Sequence, residues 1–265
     1  MSATHPLALA RARRLVTEYG IDSPAAVDLE AIAFDLGLVV IDAPLQGASA
    51  RLIRKGNRGI IRVSSSIDIE GQRRFCIAHE MGHFLLHAKK DHLPQCRGED
   101  MLMWRQTSVL EPEANTFASE LIMPEDMFRS VASKRALSLT GVEALADAFR
   151  ATITATAYRY VELAVAVCAL VVSQDGKVKW FLAARDFDYS IRRPGSTLDG
   201  RSCAASFFAS MKATKVEEDV AADAWLDDER VEGVWTIREL MLPMPRFRSA
   251  LSVLWIVPGS GPDGG

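Results

Sequence analysis

His79-Glu80-Met81-Gly82-His83 constrains this chain more than any other stretch. On an α-helix, residues four apart lie one turn above each other, so both imidazoles point the same way and can share one metal ion. Glu80 follows the first histidine directly, close enough to the metal to take a proton from an attacking water without binding the ion itself. The motif therefore calls for a buried helix. Phe75, His79, Gly82, His83 and Leu86 recur at three- and four-residue spacing on one face, and Phe75-Cys76-Ile77-Ala78 leads into the motif with apolar text. Glycine inside a helix costs about 1 kcal/mol against alanine, so Gly82 makes sense if another element or a substrate approaches closely there. Four of the five histidines lie between His79 and His92, a clustering that ordinary usage does not explain. The plain alternative is a core helix that merely carries two histidines.

The remaining composition narrows the class. A length of 265 residues suits one large domain or two smaller ones. Apolar content of 49% and charged content of 25% are ordinary for a soluble globular protein. The net charge of −3 gives no global pull toward nucleic acid, although a local basic face is compatible with it. Cys76, Cys96, Cys168 and Cys203 are scattered with no C-x-x-C pair, which argues against a disulfide framework and suits a reducing cytosol. Arg11, Arg13, Arg14 and Glu18 interrupt the N-terminal segment, unlike a signal peptide, and the apolar run Leu163 to Val172 is too short to span a bilayer. The expectation is a cytoplasmic protein with no membrane partner.

Along the chain, Leu7 to Tyr19 and Asp28 to Leu36 read as helices closed by Gly20 and Gly37. Leu38 to Ile41, Ala48 to Ile53 and Gly59 to Val63 read as short strands, with Gly56-Asn57 as a turn between the last two. The motif helix runs from about Ile69 to His87, a polar stretch from Lys89 to Gln106 reads as a long loop, and a helix covers Leu110 to Ile122 before Pro124. Another helix starts near Glu125. Thr140 to Leu163 gives two short helical patterns around Arg150-Ala151-Thr152, similar to a helix-turn-helix. A plain helical hairpin fits the same text, and Arg150 and Arg159 are thin provision for DNA. Val165 to Ser173, Asp175-Gly176 and Val178 to Ala183 read as a β-hairpin, followed by a helix near Gly200 to Lys212 and a strand at Leu251 to Val257. The fold class is α+β. It comprises a domain at 1–135 that carries the metal motif, a helix-turn-helix-like segment at 136–163, an α/β unit at 164–258 and a Gly/Pro tail at 259–265, expected to be disordered.

A catalytic zinc usually takes three protein ligands and keeps a fourth position for water. The Leu110–Ile122 segment offers Glu111, Glu113 and Glu120. Glu111 and Glu113 flank its apolar face on opposite edges, so periodicity barely separates them. Asn115, one turn beyond Glu111, can steady a ligating carboxylate. Ser108-Val109-Leu110-Glu111 also spells a capping box, which would give Glu111 a local role.

RRFCIAHEMGHFLLH followed by EPEANTFASELIMP resembles the ImmA/IrrE family of zinc metallopeptidases, most closely over Val27 to Met127. It also looks like the IrrE branch, in which a peptidase-like domain precedes a helix-turn-helix and a GAF-like sensor domain. The resemblance implies a gluzincin-like site: zinc on His79, His83 and Glu111, Glu80 as the base and Asn115 behind the third ligand. Manganese is the alternative ion. It also implies that the strand Gly59 to Val63, through Ile60, Ile61 and Arg62, edges the cleft and holds an extended substrate by main-chain hydrogen bonds. His87, His92, Arg105 and a tyrosine are candidates for stabilising the oxyanion, with His87 better placed as a helix-end or supporting residue than as a fourth ligand.

Members of the family cleave helix-turn-helix repressors, usually encoded nearby, and so switch on stress-response or mobile-element genes. The competing expectations are a DNA-binding or sensor regulator with a non-proteolytic peptidase-like scaffold, and an antitoxin-like binder.

Overall fold

The computed structural model describes residues 5–87, 110–228 and 236–256. The loop at 89–106, with His92, Cys96 and Arg105, and the tail at 259–265 lie outside the described residues. Two compact units divide the chain. The segment 136–163 is not a unit of its own: residues 144–152 group with 3–131, whereas 132–143 and everything from 153 group together.

In the N-terminal unit, α1 (Pro6–Glu18) begins on a proline, whose missing N–H is harmless in a first turn, and buries Ala8, Ala12 and Leu15. The Asp28 carboxylate accepts from the Ala31 amide at 3.0 Å and so starts α2 (Leu29–Asp35). Three strands follow: β1 (Leu38–Ala43), β2 (Ala50–Lys55) and β3 (Arg58–Ser64). The Gly56-Asn57 turn sets Lys55 opposite Arg58 and folds β2 antiparallel onto one side of β3; β1 pairs in parallel on the other side. The sheet order is β1-β3-β2. Ile60, Ile61 and Arg62 therefore lie on a central strand with both sides paired, which corrects their expected place on the cleft edge. Strand alternation says which face a side chain takes, but it cannot say which strand lies beyond. The strand beside the motif helix with an unpaired side among the described residues is β2.

The motif helix, α3 (Glu70–Leu86), packs against β2 and β3. Its most extensive partner is α4 (Leu110–Ile122), which is followed by α5 (Glu125–Ala132). Arg13 of α1 reaches the buried Glu120 carboxylate of α4 at 2.8 Å, so Glu120 serves the α1–α4 contact and not the histidines. The end of α6 (Leu139–Phe149) also belongs to this unit, with Phe149 stacked at 5.3 Å on Phe128. The turn that follows crosses α3 at Gly71. A Cβ there would come within 2.5 Å of the Ala151 backbone, so only glycine admits the crossing.

In the C-terminal unit, α7 (Ile153–Glu162) is buried along six consecutive residues, Thr156 to Val161, and contacts the sheet. The sheet is antiparallel in the order β5-β4-β8-β7-β6. Its members are β4 (Cys168–Gln174), β5 (Lys177–Ala183), β6 (Val216–Ala221), β7 (Thr236–Met244) and β8 (Ser249–Trp255), with α8 (Cys203–Ser210) against it. Asp175 and Gly176, both at positive φ, form the expected hairpin turn. Strands β6 and β7 are absent from the sequence reading. β7 carries Arg238, Glu239 and Pro243, which break the alternating pattern, yet its pairing with β6 stops at Met241, so Pro243 need not donate on that side.

Candidate metal centre

The α3 periodicity places His79 and His83 on one face, both 1% exposed, with their Nε2 atoms 3.0 Å apart. The first turn of α4 brings in Glu111, whose two oxygens lie 3.2 Å from His79 Nε2 and 3.3 Å from His83 Nε2. Each residue thus presents a ligand atom within 4.8 Å of the others. A tetrahedral zinc with bonds of about 2.0–2.1 Å sets its ligand atoms roughly 3.3 Å apart, close to these spacings.

An ionised Glu111 calls for a positive charge among these atoms, because its Oε1 and Oε2 are buried and make no hydrogen bond of good geometry among the described residues. It is either a proton on an imidazole or a metal ion. The outer contact of His79 favours the metal. Its Nδ1 lies 2.9 Å from Asn115 Oδ1, an acceptor, so Nδ1 carries a hydrogen and, in the neutral ring, Nε2 is a lone pair free to ligate. Asn115 was expected to steady the ligating carboxylate; it steadies an imidazole instead. Burial alone would raise the Glu111 carboxyl, but where the facing imidazoles carry hydrogens their contact outweighs burial and brings it down to about 2. The donor set fits a divalent cation, and two imidazoles with one carboxylate suit zinc.

Glu113, the other candidate ligand, lies 2.8 Å from His87 Nε2, and His87 Nδ1 lies 2.9 Å from His83 Nδ1. His87 is thus a supporting residue, signalled in the sequence only by its one-turn offset from His83. Glu80 points toward β2 and is 2% exposed, and burial pushes its carboxyl up to about 7, against a downward pull from His79. Glu111 adds to the upward push, whereas the Leu52 amide of β2 donates to Glu80 and favours its charged form. Sequence reasoning missed Leu52, since a main-chain donor leaves no residue-type signal.

Residues 33–160 match the family model described as the IrrE N-terminal-like domain, Peptidase_M78. This segment belongs to that family. Its α3 and α4 carry the His79, His83 and Glu111 cluster, three donors placed where they could hold a metal ion. Among solved structures, a Mycobacterium tuberculosis transcriptional regulator shares the fold at a TM-score of 0.61 and 15% identity, over 96% of this chain and 77% of that one. No curated protein matches the chain.

Gly82 explains how α4 comes close enough to deliver Glu111. A Cβ there would sit 3.1 Å from Phe117 Cδ1 and 3.2 Å from Ala114 Cα, and the latter is backbone that cannot swing aside. Gly82→Val is expected to force the two helices apart, destabilise the unit by about 1–3 kcal/mol and weaken metal binding. Chemical denaturation and a zinc titration would check this; unchanged zinc affinity would break the link between Gly82 and Glu111.

Proposed function

We propose that the protein is a zinc-dependent endopeptidase that cleaves a helix-turn-helix transcriptional repressor, encoded nearby, and so derepresses stress-response or mobile-element genes. The observation that carries this reading is the convergence of His79, His83 and Glu111 on one point with Glu80 buried beside it. A structural zinc closes its shell with a fourth side chain, whereas among the described residues this cluster has three members.

A zinc ion held there supplies a Lewis acid that polarises a peptide carbonyl and acidifies water. Glu80 accepts the proton of the attacking water and hands it to the leaving amine. The Leu52 amide holds the carboxylate in place, and burial keeps its proton affinity close to neutral pH, as a shuttle requires. An extended substrate segment pairs with the free side of β2, the strand that already touches the base. The buried α3–α4 face excludes bulk water from the ligands.

The C-terminal sheet is read as a GAF-like sensor unit. DNA recognition by residues 140–163 has less support. Arg150 is engaged by Glu70, Arg159 is buried against Glu162 at 2.8 Å, and α7 is covered along six residues where a reading helix would be open. No helix of the described residues is long and apolar enough to cross a membrane.

The test is incubation of the full-length, zinc-loaded protein with the folded repressor encoded beside its gene. Two fragments are expected, lost on chelation and restored by zinc. An intact repressor would overturn the proposal.

A further inference from the structure

We infer that His87 and Glu113 are positioning residues that together set the tautomer of His83, and with it the strength of His83 as a metal ligand. The inference rests on the metal-centre reading above. His79 is fixed in one step by Asn115, but His83 has no such neighbour on its Nδ1. Its Nδ1 faces a second imidazole, His87 Nδ1, at 2.9 Å. Two imidazole nitrogens can share only one hydrogen, so this contact alone does not say which ring holds it.

Glu113 decides. Its carboxylate oxygen lies 2.8 Å from His87 Nε2 and can only accept, which puts the hydrogen of neutral His87 on Nε2 and leaves its Nδ1 as a lone pair. His83 Nδ1 must then be the donor, and its Nε2 is left bare toward His79 and Glu111. With the opposite tautomer, an Nε2–H would occupy the position that a metal needs.

The arrangement is built in. His83 and His87 lie one turn apart, their rings 5.1 Å apart, both are buried, and His87 closes the C-terminus of α3. Glu113 comes from the same α4 turn as Glu111, so a single helix supplies both the third ligand and the group that orients the second. A residue with a purely structural role would affect stability without moving a proton between ring nitrogens.

The test uses the full-length, metal-free protein with 15N-labelled histidine, which gives only five imidazoles to assign. Long-range 1H–15N correlation should show His83 as the Nδ1–H form in the wild type. In His87→Phe and in Glu113→Ala, the Nε2–H form should become populated. Zinc affinity, measured by competition with a chromophoric chelator, should fall by about 10- to 100-fold for His87→Phe and by less for Glu113→Ala. Should His87→Phe fail to fold, Glu113→Ala, at a partly exposed position, carries the test. An unchanged His83 tautomer with zinc affinity within twofold of wild type would overturn the inference. A wild type that takes up no zinc would instead overturn the metal-centre reading, and the tautomer measurement in metal-free protein would still decide the relay.

Discussion

Glu80→Gln is expected to keep zinc at wild-type stoichiometry while slowing repressor cleavage by about 10²–10⁴-fold, the usual contribution of a positioned acid–base group. Glutamine matches glutamate in size and still offers an oxygen to the Leu52 amide, so α3 and its two histidines should hold their places. It cannot take up a proton from water. Glu80 is buried, its Oε1 makes no hydrogen bond among the described residues, and burial pushes its pKa up to about 7, so it can take up and release a proton near neutral pH. Single-turnover cleavage assays beside metal analysis of the same preparation separate the two effects. Equal cleavage by the variant would remove Glu80 as the base, whereas loss of zinc would mean that the substitution had disturbed the ligands.

The second large effect is expected far from the metal, at Glu239 in β7. Its side chain is fully buried in the C-terminal unit and accepts from four donors. The Cys203 and Ala204 amides donate at 2.9 and 3.0 Å, Trp225 Nε1 at 2.8 Å and Ser252 Oγ at 2.8 Å. Burial holds its pKa above the usual carboxylate range, against the opposing pull of the four donors. Two of those donors are orphan amides at the start of α8, where Ser202 Oγ also caps the Ala205 amide at 3.1 Å. Glu239→Ala would strand all four donors in an apolar core around Trp225 and Phe207. A loss of about 3–5 kcal/mol is expected, the usual consequence of removing one side of a buried charged network. Hydrogen exchange reads it directly: the Cys203 and Ala204 amides should lose protection while those of α3 keep theirs. Glu239→Gln should also destabilise the unit, because its amide hydrogens face donors. A variant as stable as wild type would show that solvent or a shifted neighbour replaces the carboxylate.

Legibility in the sequence follows the range of the physics. The Leu110–Ile122 helix, the Asp175-Gly176 turn and the one-turn offset of His79 and His83 are local properties of periodicity and backbone preference, and the structure places all three within a residue or two of expectation. Strands β6 and β7 were not legible, because β7 buries Glu239 in a polar cluster whose partners lie 13 to 36 residues away. Without those partners the text Thr236-Ile237-Arg238-Glu239 carries no strand signal.

The motif His79-Glu80-Met81-Gly82-His83 by itself determined a helix that puts two imidazoles on one face with a carboxyl group beside them, since i and i+4 on a helix leave the two imidazoles no other relation. Gly82 marked a close approach without naming what approached. Only the tertiary structure decided that α4 fills that space, that Glu111 joins the histidines while Glu113 serves His87, that Asn115 supports an imidazole and that β2, not β3, is the open strand beside Glu80. Each of those outcomes is a contact between segments distant in sequence. Neither helical nor strand periodicity carries the relative rotation of two elements, and that rotation chooses among side chains of the same chemistry.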